Sequence, residues 1–349
     1  MNYMRNRIRG CLLGQAIGDS LGARYEFESN DVVIKHMQRD IVQNFLPILG
    51  GGPFDVYPGQ VTDDTELAMA NLHTLIEKRR IDFDSIAHGY VLWHFSHPFD
   101  EGHTTQNAFK NTSPTLSPQM NRDLMHSNAN KFNSISCSNG SLMRISPIAI
   151  VCGQYDVEDI SRIVREDSSL THGHELVWFA STAYAIAVSS LIKYGDKLIA
   201  YQSACNFANS VDPLLYRILK MAKSCPDPVE CTDGAFAKTD SHRAGYFGIA
   251  LQNAFYELLN GVNFEHSLID VVKRGGDTDT NGAITAALLG AYYGSPKMPS
   301  RWIKTVLSAN PTYRTKQYPW ADTRDLINQA DQLCDIYYPK LNYHMHMKN

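Results

Sequence analysis

No stretch of this chain alternates apolar and polar residues with period two for long enough to make a convincing strand, which restricts the fold to helices. Segment after segment is instead apolar at three- and four-residue spacing. "RIRGCLLGQAIGDSLGARYEF" is also rich in small residues, as a closely packed central helix would be. "DDTELAMANLHTLIEKRR" puts Leu67, Ala70, Leu72, Leu75 and Ile76 on one side and ends in basic residues, which favour a helix C-terminus. "IDFDSIAHGYVLWHFSH" follows as another amphipathic segment. Further helices are expected at 156–166, 174–194, 197–209, 212–223, 244–260, 264–273, 282–293, 300–307 and 322–336. The small-residue segments at 10–23 and 282–294 are suited to pack together at the centre. The expectation is an all-α fold, one domain over 1–349, with long surface loops at 29–61 and 111–140. The first loop is rich in Gly and Pro, the second in Ser and Asn. Loops of this length in a compact fold are often functional.

Of the 349 residues, 44% are hydrophobic and 19% charged, enough apolar content for a sizeable core. The formal charge is −4 and the basic residues are scattered, so nucleic acid is not an expected partner. No run reaches the roughly 18 uninterrupted apolar residues of a membrane span. The apolar run Cys11–Ile17 is broken by Gln15, a poor match to a signal peptide. Seven cysteines, an odd number without a C-x-x-C pair, read as buried thiols in a reducing compartment, so a cytoplasmic location is expected. There is no G-x-S-x-G, no Walker loop and no H-E-x-x-H, which disfavours a serine nucleophile, an NTPase and a zinc protease.

The acidic stretches carry more chemistry. In "RGGDTDTNGAITAALLGA", Asp277, Asp279 and Asn281 occupy the first, third and fifth ligand positions of a calcium loop, and Gly282 the sixth. The bidentate Glu that closes such a loop is replaced by Leu288. The stretch is therefore either the start of a helix or part of a metal site completed elsewhere. "VTDDTELAMA" poses the same choice. Thr62 or Asp63 suits an N-cap, with Asp63 and Glu66 spaced as a capping box. Yet both stretches set Thr and two Asp against small apolar residues, so both helix ends are expected to be buried. Four carboxylates there would repel one another unless cations compensate them, which favours a two-metal site. In "GDSLGARYEF", Asp19 suits a structural role, and Glu26 is a candidate base if it faces the same way two turns on. "SNGSLMRISPIAI" reads either as a turn into a helix or as a helix N-terminus whose N–H groups cradle phosphate. "DEGHTT" is a polar Gly turn. In "THGHE", His172 and His174 are too close for a zinc pair on a helix, so a structural or substrate-contacting histidine is the better reading.

Together these residues resemble the ADP-ribosylglycohydrolase family. The resemblance runs in order through "GCLLGQAIGDSLGARYEF", "TDDTELAMA", "DEGHTTQNAF", "NGSLMRISPIAI", "TH", "GYFGIALQNAFYEL" and "GGDTDTNGAITAALLGAYYG". It implies an orthogonal helical domain with two Mg²⁺ (or Mn²⁺) ions in a cleft. By matching position, Thr62, Asp63, Asp64, Asp277, Asp279 and Thr280 look like the metal ligands, with Asp279 as the bridge. Glu26 would activate or orient water, with a metal-held Asp63 or Asp279 as the other catalytic group. Asn139, Gly140, Ser141 and His172 fall where the family contacts ADP-ribose, and Asp100 and Gly102 in a loop lining the same pocket. The chain departs from the family pattern at Val61, where many members have Trp, at Glu101 and His103, and in lacking a proline after "THGH". The implied activity is hydrolysis of ADP-ribose from modified protein side chains at C1″, arginine being the preferred acceptor. Serine-linked and O-acetyl-ADP-ribose stay open as substrates. So do a non-catalytic ADP-ribose-binding role and direct binding of an ADP-ribosyltransferase toxin as an immunity protein.

Overall fold

The computed structural model describes residues 2–309, 312–313, 316–317 and 319–339. Among them are sixteen α-helices and only two pairs of two-residue antiparallel strands, Val229–Glu230 with Phe236–Ala237 and Thr312–Tyr313 with Lys316–Gln317. The fold is all-α, as the periodicity predicts. Helix Glu175–Tyr194 is long and apolar enough by composition to cross a membrane, but it is mostly buried within the core.

Two helices form the axis of the molecule: the first, Asn2–Gly22, and Thr278–Tyr293. Their backbones touch along four turns. A Cβ added at Gly10, Gly14, Gly18 or Gly22 would stand 2.3, 2.1, 2.1 and 2.2 Å from the carbonyl oxygens of Gly290, Ala286, Gly282 and Thr278. Glycine inside a helix costs about 1 kcal/mol against alanine. Here the cost is offset by a backbone approach that no side chain permits. Gln15, the residue that interrupts the apolar run, is buried in this axis. Its amide donates to the carbonyls of Asp64 (3.1 Å) and Met143 (2.9 Å), and the Ser146 hydroxyl donates to its oxygen. One side chain thus ties the first helix to the two segments that border the cleft.

The two stretches expected as loops each contain a helix, Asn30–Asp40 and Pro118–Phe132. In the second, Ser117 caps the N-terminus by accepting from Met120 N–H, and Pro118 occupies the first turn, where its missing N–H costs nothing. Helix Thr278–Tyr293 begins four residues before the expected 282, which places Asp279 inside its first turn. The "SNGSLMR" stretch is a series of turns, and its helix starts only at buried Ser146, so no helix N-terminus faces phosphate at 139–141.

A candidate metal centre in an acidic cleft

Six carboxylates, Glu26, Asp63, Asp64, Asp100, Asp277 and Asp279, line one cleft of about 270 Å³. They come from four separate parts of the chain. The close approach of the two axial helices brings the first of these beside the last.

Asp63 and Asp64 open helix Asp63–Lys78, with Thr62 as N-cap. The capping box does not form. Glu66 turns instead to the Trp93 indole N–H at 2.7 Å, and Thr62 makes no cap bond. The free N–H groups of this helix end are satisfied by Asp19, one layer behind. It accepts from Thr62 N–H at 3.0 and 3.1 Å, from the Thr62 hydroxyl at 3.0 Å, and from Thr65 N–H at 3.1 Å. Burial still pushes Asp19 up to about 6 against these bonds. Asp19 is therefore the structural carboxylate expected, paired with backbone and hydroxyl.

Glu26 does not lie two helical turns beyond Asp19. The first helix stops at Gly22, a 3₁₀ turn spans Ala23–Tyr25, and Glu26 is extended. It reaches the cleft because the chain after it pairs with the glycines before "DTDT". Phe27 N–H donates to Gly276 O at 2.7 Å, Gly276 N–H to Glu28 O at 2.8 Å, and Ser29 bridges Gly275. Gly276 has φ +76°, and a Cβ there would sit 2.2 Å from Thr239 O, so both conformation and space demand glycine.

Glu26, Asp100 and Asp279 each offer an oxygen within 4.8 Å of the other two. Asp100, expected only to line the pocket, thus belongs to the ligand-capable set. Around them, the Thr280 hydroxyl meets Asp64 Oδ2 at 3.2 Å, Asn139 Nδ2 donates to Asp277 Oδ2 at 2.7 Å, and Thr280 N–H caps Asp279 at 2.9 Å. The Thr62 hydroxyl lies 3.3 Å from Asp64 but closer to Asp19, and Thr62 sits behind the cleft wall rather than in it.

The electrostatics show what this arrangement demands. Burial, then repulsion from Asp277 and Asp100, raises Glu26 to about 10. Burial and neighbouring charge raise Asp100 to about 7, and hold Asp63, Asp64 and Asp279 well above the carboxylate range. Two buried oxygens of the cluster, Glu26 Oε2 and Asp64 Oδ1, have no hydrogen-bond partner among the described residues. Buried acceptors without donors and like charges without a counter-charge are both relieved by a cation. The donors are all carboxylate and hydroxyl oxygen, which suits a hard divalent ion such as Mg²⁺ or Mn²⁺.

Gly102, Asn139 and Gly140 line the cleft as expected. Ser141 and His172 do not. Ser141 is buried with its hydroxyl on Ser181 at 3.0 Å, and His172 is buried behind Ser138. Neither lines the cleft: Ser141, in the turns at 138–145, and His172, after the turn that ends helix Val157–Ser168, both have their side chains buried. Residues that sequence reasoning missed include Phe27, Thr104, Thr105, Ser138 and Gly245. Phe27 adopts φ +63° and leaves its ring 70% exposed at the cleft mouth. A phenylalanine in left-handed conformation is uncommon, and only the neighbouring "YEF" hinted at its position.

A family model for ADP-ribosylglycohydrolase matches residues 2–338. A protein of Acanthamoeba polyphaga mimivirus, L543, named as a candidate ADP-ribosyl glycohydrolase, is 31% identical, covering 93% of this chain and 97% of its own. ADP-ribosyl-[dinitrogen reductase] glycohydrolase of Rhodospirillum rubrum is 27% identical over 86% of this chain and 90% of its own. ADP-ribosylarginine hydrolase Tri1 of Pseudomonas putida (strain GB-1) is 25% identical over 96% and 82%. A solved structure titled ADP-ribosylglycohydrolase-related protein complex shares the fold, with TM-score 0.71 at 23% identity, covering 97% of this chain and all of that one.

Proposed function

Because this chain belongs to the ADP-ribosylglycohydrolase family and is a hydrolase of that kind, we propose that it removes ADP-ribose from modified arginine side chains in a metal-dependent reaction. The observation that carries the reading is the set of six cleft carboxylates with two buried oxygens lacking any donor among the described residues. Asp63, Asp64, Asp277 and Asp279, with Thr280, Glu26 and Asp100 beside them, would hold two Mg²⁺ or Mn²⁺ ions. Bound there, the ions would supply charge compensation and Lewis acidity toward the ribose hydroxyls and a water.

The chain's own groups do the rest. Bound cations would relieve the repulsion that keeps Glu26 protonated, and its carboxylate, which lines the cleft, then takes a proton from the water as the water oxygen bonds to C1″. The C1″–N bond breaks, its electron pair passes to the guanidine nitrogen, and that nitrogen takes the proton Glu26 received from the water, which restores the carboxylate. The transition state is oxocarbenium-like, and the surrounding carboxylates favour positive charge at the sugar. Asn139 holds Asp277 in place, and Asp19 holds the start of helix Asp63–Lys78. The exposed Phe27 ring at the mouth of an acidic cleft suits a guanidinium, by cation–π contact, better than a neutral serine ether. The relative from Pseudomonas putida is named an ADP-ribosylarginine hydrolase, which supports the same acceptor.

The test is to incubate the protein with arginine-ADP-ribosylated and serine-ADP-ribosylated substrates, with Mg²⁺, Mn²⁺ or EDTA, and to quantify released ADP-ribose beside Asp279→Ala. Metal-dependent release from arginine, lost in the variant, is expected. Release from the serine-linked substrate alone would overturn the choice of acceptor.

A further inference from the structure

Asp100 reaches the acidic cleft from the irregular loop between helices Phe83–Phe95 and His103–Ala108. A carboxylate on such backbone is placed only as well as its neighbours are held. Both neighbours are held by side chains from outside the loop. Phe99 meets the Phe54 ring at 5.7 Å between centroids. On the other side, His94 Nδ1–H donates to Glu101 Oε1 at 2.6 Å, since an ionised carboxylate oxygen can only accept. The Glu101 backbone N–H is in turn a hydrogen-bond partner of the Asp100 carboxylate. His94 therefore acts on Asp100 at one residue's remove.

The histidine is itself well fixed. It lies in the last turn of helix Phe83–Phe95, with its ring stacked on Phe109 at 4.7 Å and 15° and the Phe95 ring edge-on at 5.2 Å. The Glu101 side chain is only 12% exposed. It does not line the cleft, although Asp100 on one side of it and Gly102 on the other do. Two acids adjacent in sequence thus point apart, Asp100 into the cleft and Glu101 onto His94. Glu101 is also one of the positions at which this chain departs from the family pattern.

We propose that His94 is a positioning residue for Asp100: by holding the Glu101 side chain outside the cleft, it fixes the loop that presents Asp100 to the metal ions. This rests on the metal-dependent reading of the cleft. The physical basis is an asymmetry. Removing one partner of a partly buried charged pair strands the other, whereas replacing both by apolar groups costs little. A stranded Glu101 must reach water, and the loop moves with it, taking Asp100 out of place.

The test is calorimetric titration of the metal-free full-length protein with Mn²⁺, beside a thermal melt in EDTA. His94→Leu should weaken Mn²⁺ binding roughly tenfold, the lower end of what loss of an outer-shell partner costs a metal site. Adding Glu101→Leu to His94→Leu should recover most of that loss. Glu101→Asp keeps the charge but falls one methylene short of His94, so it should weaken Mn²⁺ binding as His94→Leu does. It leaves the helix untouched, and carries the test alone should His94→Leu fail to fold. Wild-type affinity in His94→Leu or in Glu101→Asp would overturn the proposal. So would a double variant as weak as His94→Leu, which would make His94 a packing partner of Phe109 and no more. A folded wild type that binds no Mn²⁺ would instead refute the metal reading, and this inference with it.

Discussion

Replacing Gly14 by alanine adds one methyl group at the centre of the molecule, where two backbones already touch. The new Cβ would stand 2.1 Å from Ala286 O and 2.7 Å from Ala286 C, whereas ordinary contact begins at 3.4 Å. The gap is more than an ångström short, and both sides are helix backbone with no side chain able to rotate away. Overpacking typically costs 1–3 kcal/mol, and the absence of any yielding rotamer puts this site near ~3 kcal/mol. The helix propensity of alanine returns about 1 kcal/mol. The net expectation is roughly 2 kcal/mol of lost stability. With an unfolding entropy near ~2.1 cal/mol/K per residue, that lowers Tm by roughly 3 °C for a chain of 349 residues. Gly89→Ala is the matched control. It lies in helix Phe83–Phe95, and its Cβ would meet Ala70 O at an ordinary 3.7 Å and the Thr74 hydroxyl at 3.2 Å, a side chain that need give only a few tenths of an ångström. There the propensity term dominates, and stability should hold or rise by up to ~1 kcal/mol. Urea midpoints and thermal melts of the two variants decide the matter. A Gly14→Ala protein as stable as wild type would refute the claim that glycine sets the helix approach.

Other perturbations separate stability from function. Gly22→Ala meets Asp279 Cα at 2.5 Å, so kcat/KM should fall much further than stability does, read by activity beside a melt. Arg144→Met leaves Asp167 buried without its counter-charge, only the Tyr90 hydroxyl still donating to it, and should cost about 3–5 kcal/mol in urea unfolding, partly restored when Asp167→Leu is added. Phe27→Leu should raise KM for an arginine-linked substrate several-fold, within the ~0.5–2 kcal/mol of a cation–π contact, while Mg²⁺ affinity stays put. Burial holds His172 down to about 3 from its ordinary 6.5, so the unfolded chain binds a proton there that the folded chain refuses. Stability from this group is complete above about pH 6.5 and falls by up to ~1.4 kcal/mol per unit as pH drops toward 3. Comparing wild type with His172→Gln between pH 5 and 7 should show the steeper slope in wild type.

The readable parts of this chain were those governed by short-range rules. Threonines and aspartates before small apolar runs marked two buried helix starts, and the small residues themselves marked the helices that approach each other. The helix at 118–132 hid behind Ser and Asn content, although Ser117 followed by Pro118 was a usable start signal. Glu26 was found by resemblance and not by periodicity, since the first helix ends at Gly22 and a strand-like pairing with Gly276 carries the residue into the cleft. Ser141 and His172 sit in the right loops but point inward, because side-chain direction across irregular turns is set by tertiary packing. Phe27 depended on a left-handed backbone imposed by a neighbour some 250 residues away, which no local pattern encodes.

The account turns on the acidic cleft being a metal centre. The direct measurement is a calorimetric titration of the metal-free protein with Mn²⁺, beside Asp279→Ala and Asp64→Asn. Two ions per chain in wild type, with binding weakened or reduced to one in each variant, is the predicted result. Absence of Mn²⁺ and Mg²⁺ binding by a folded wild-type protein would contradict it.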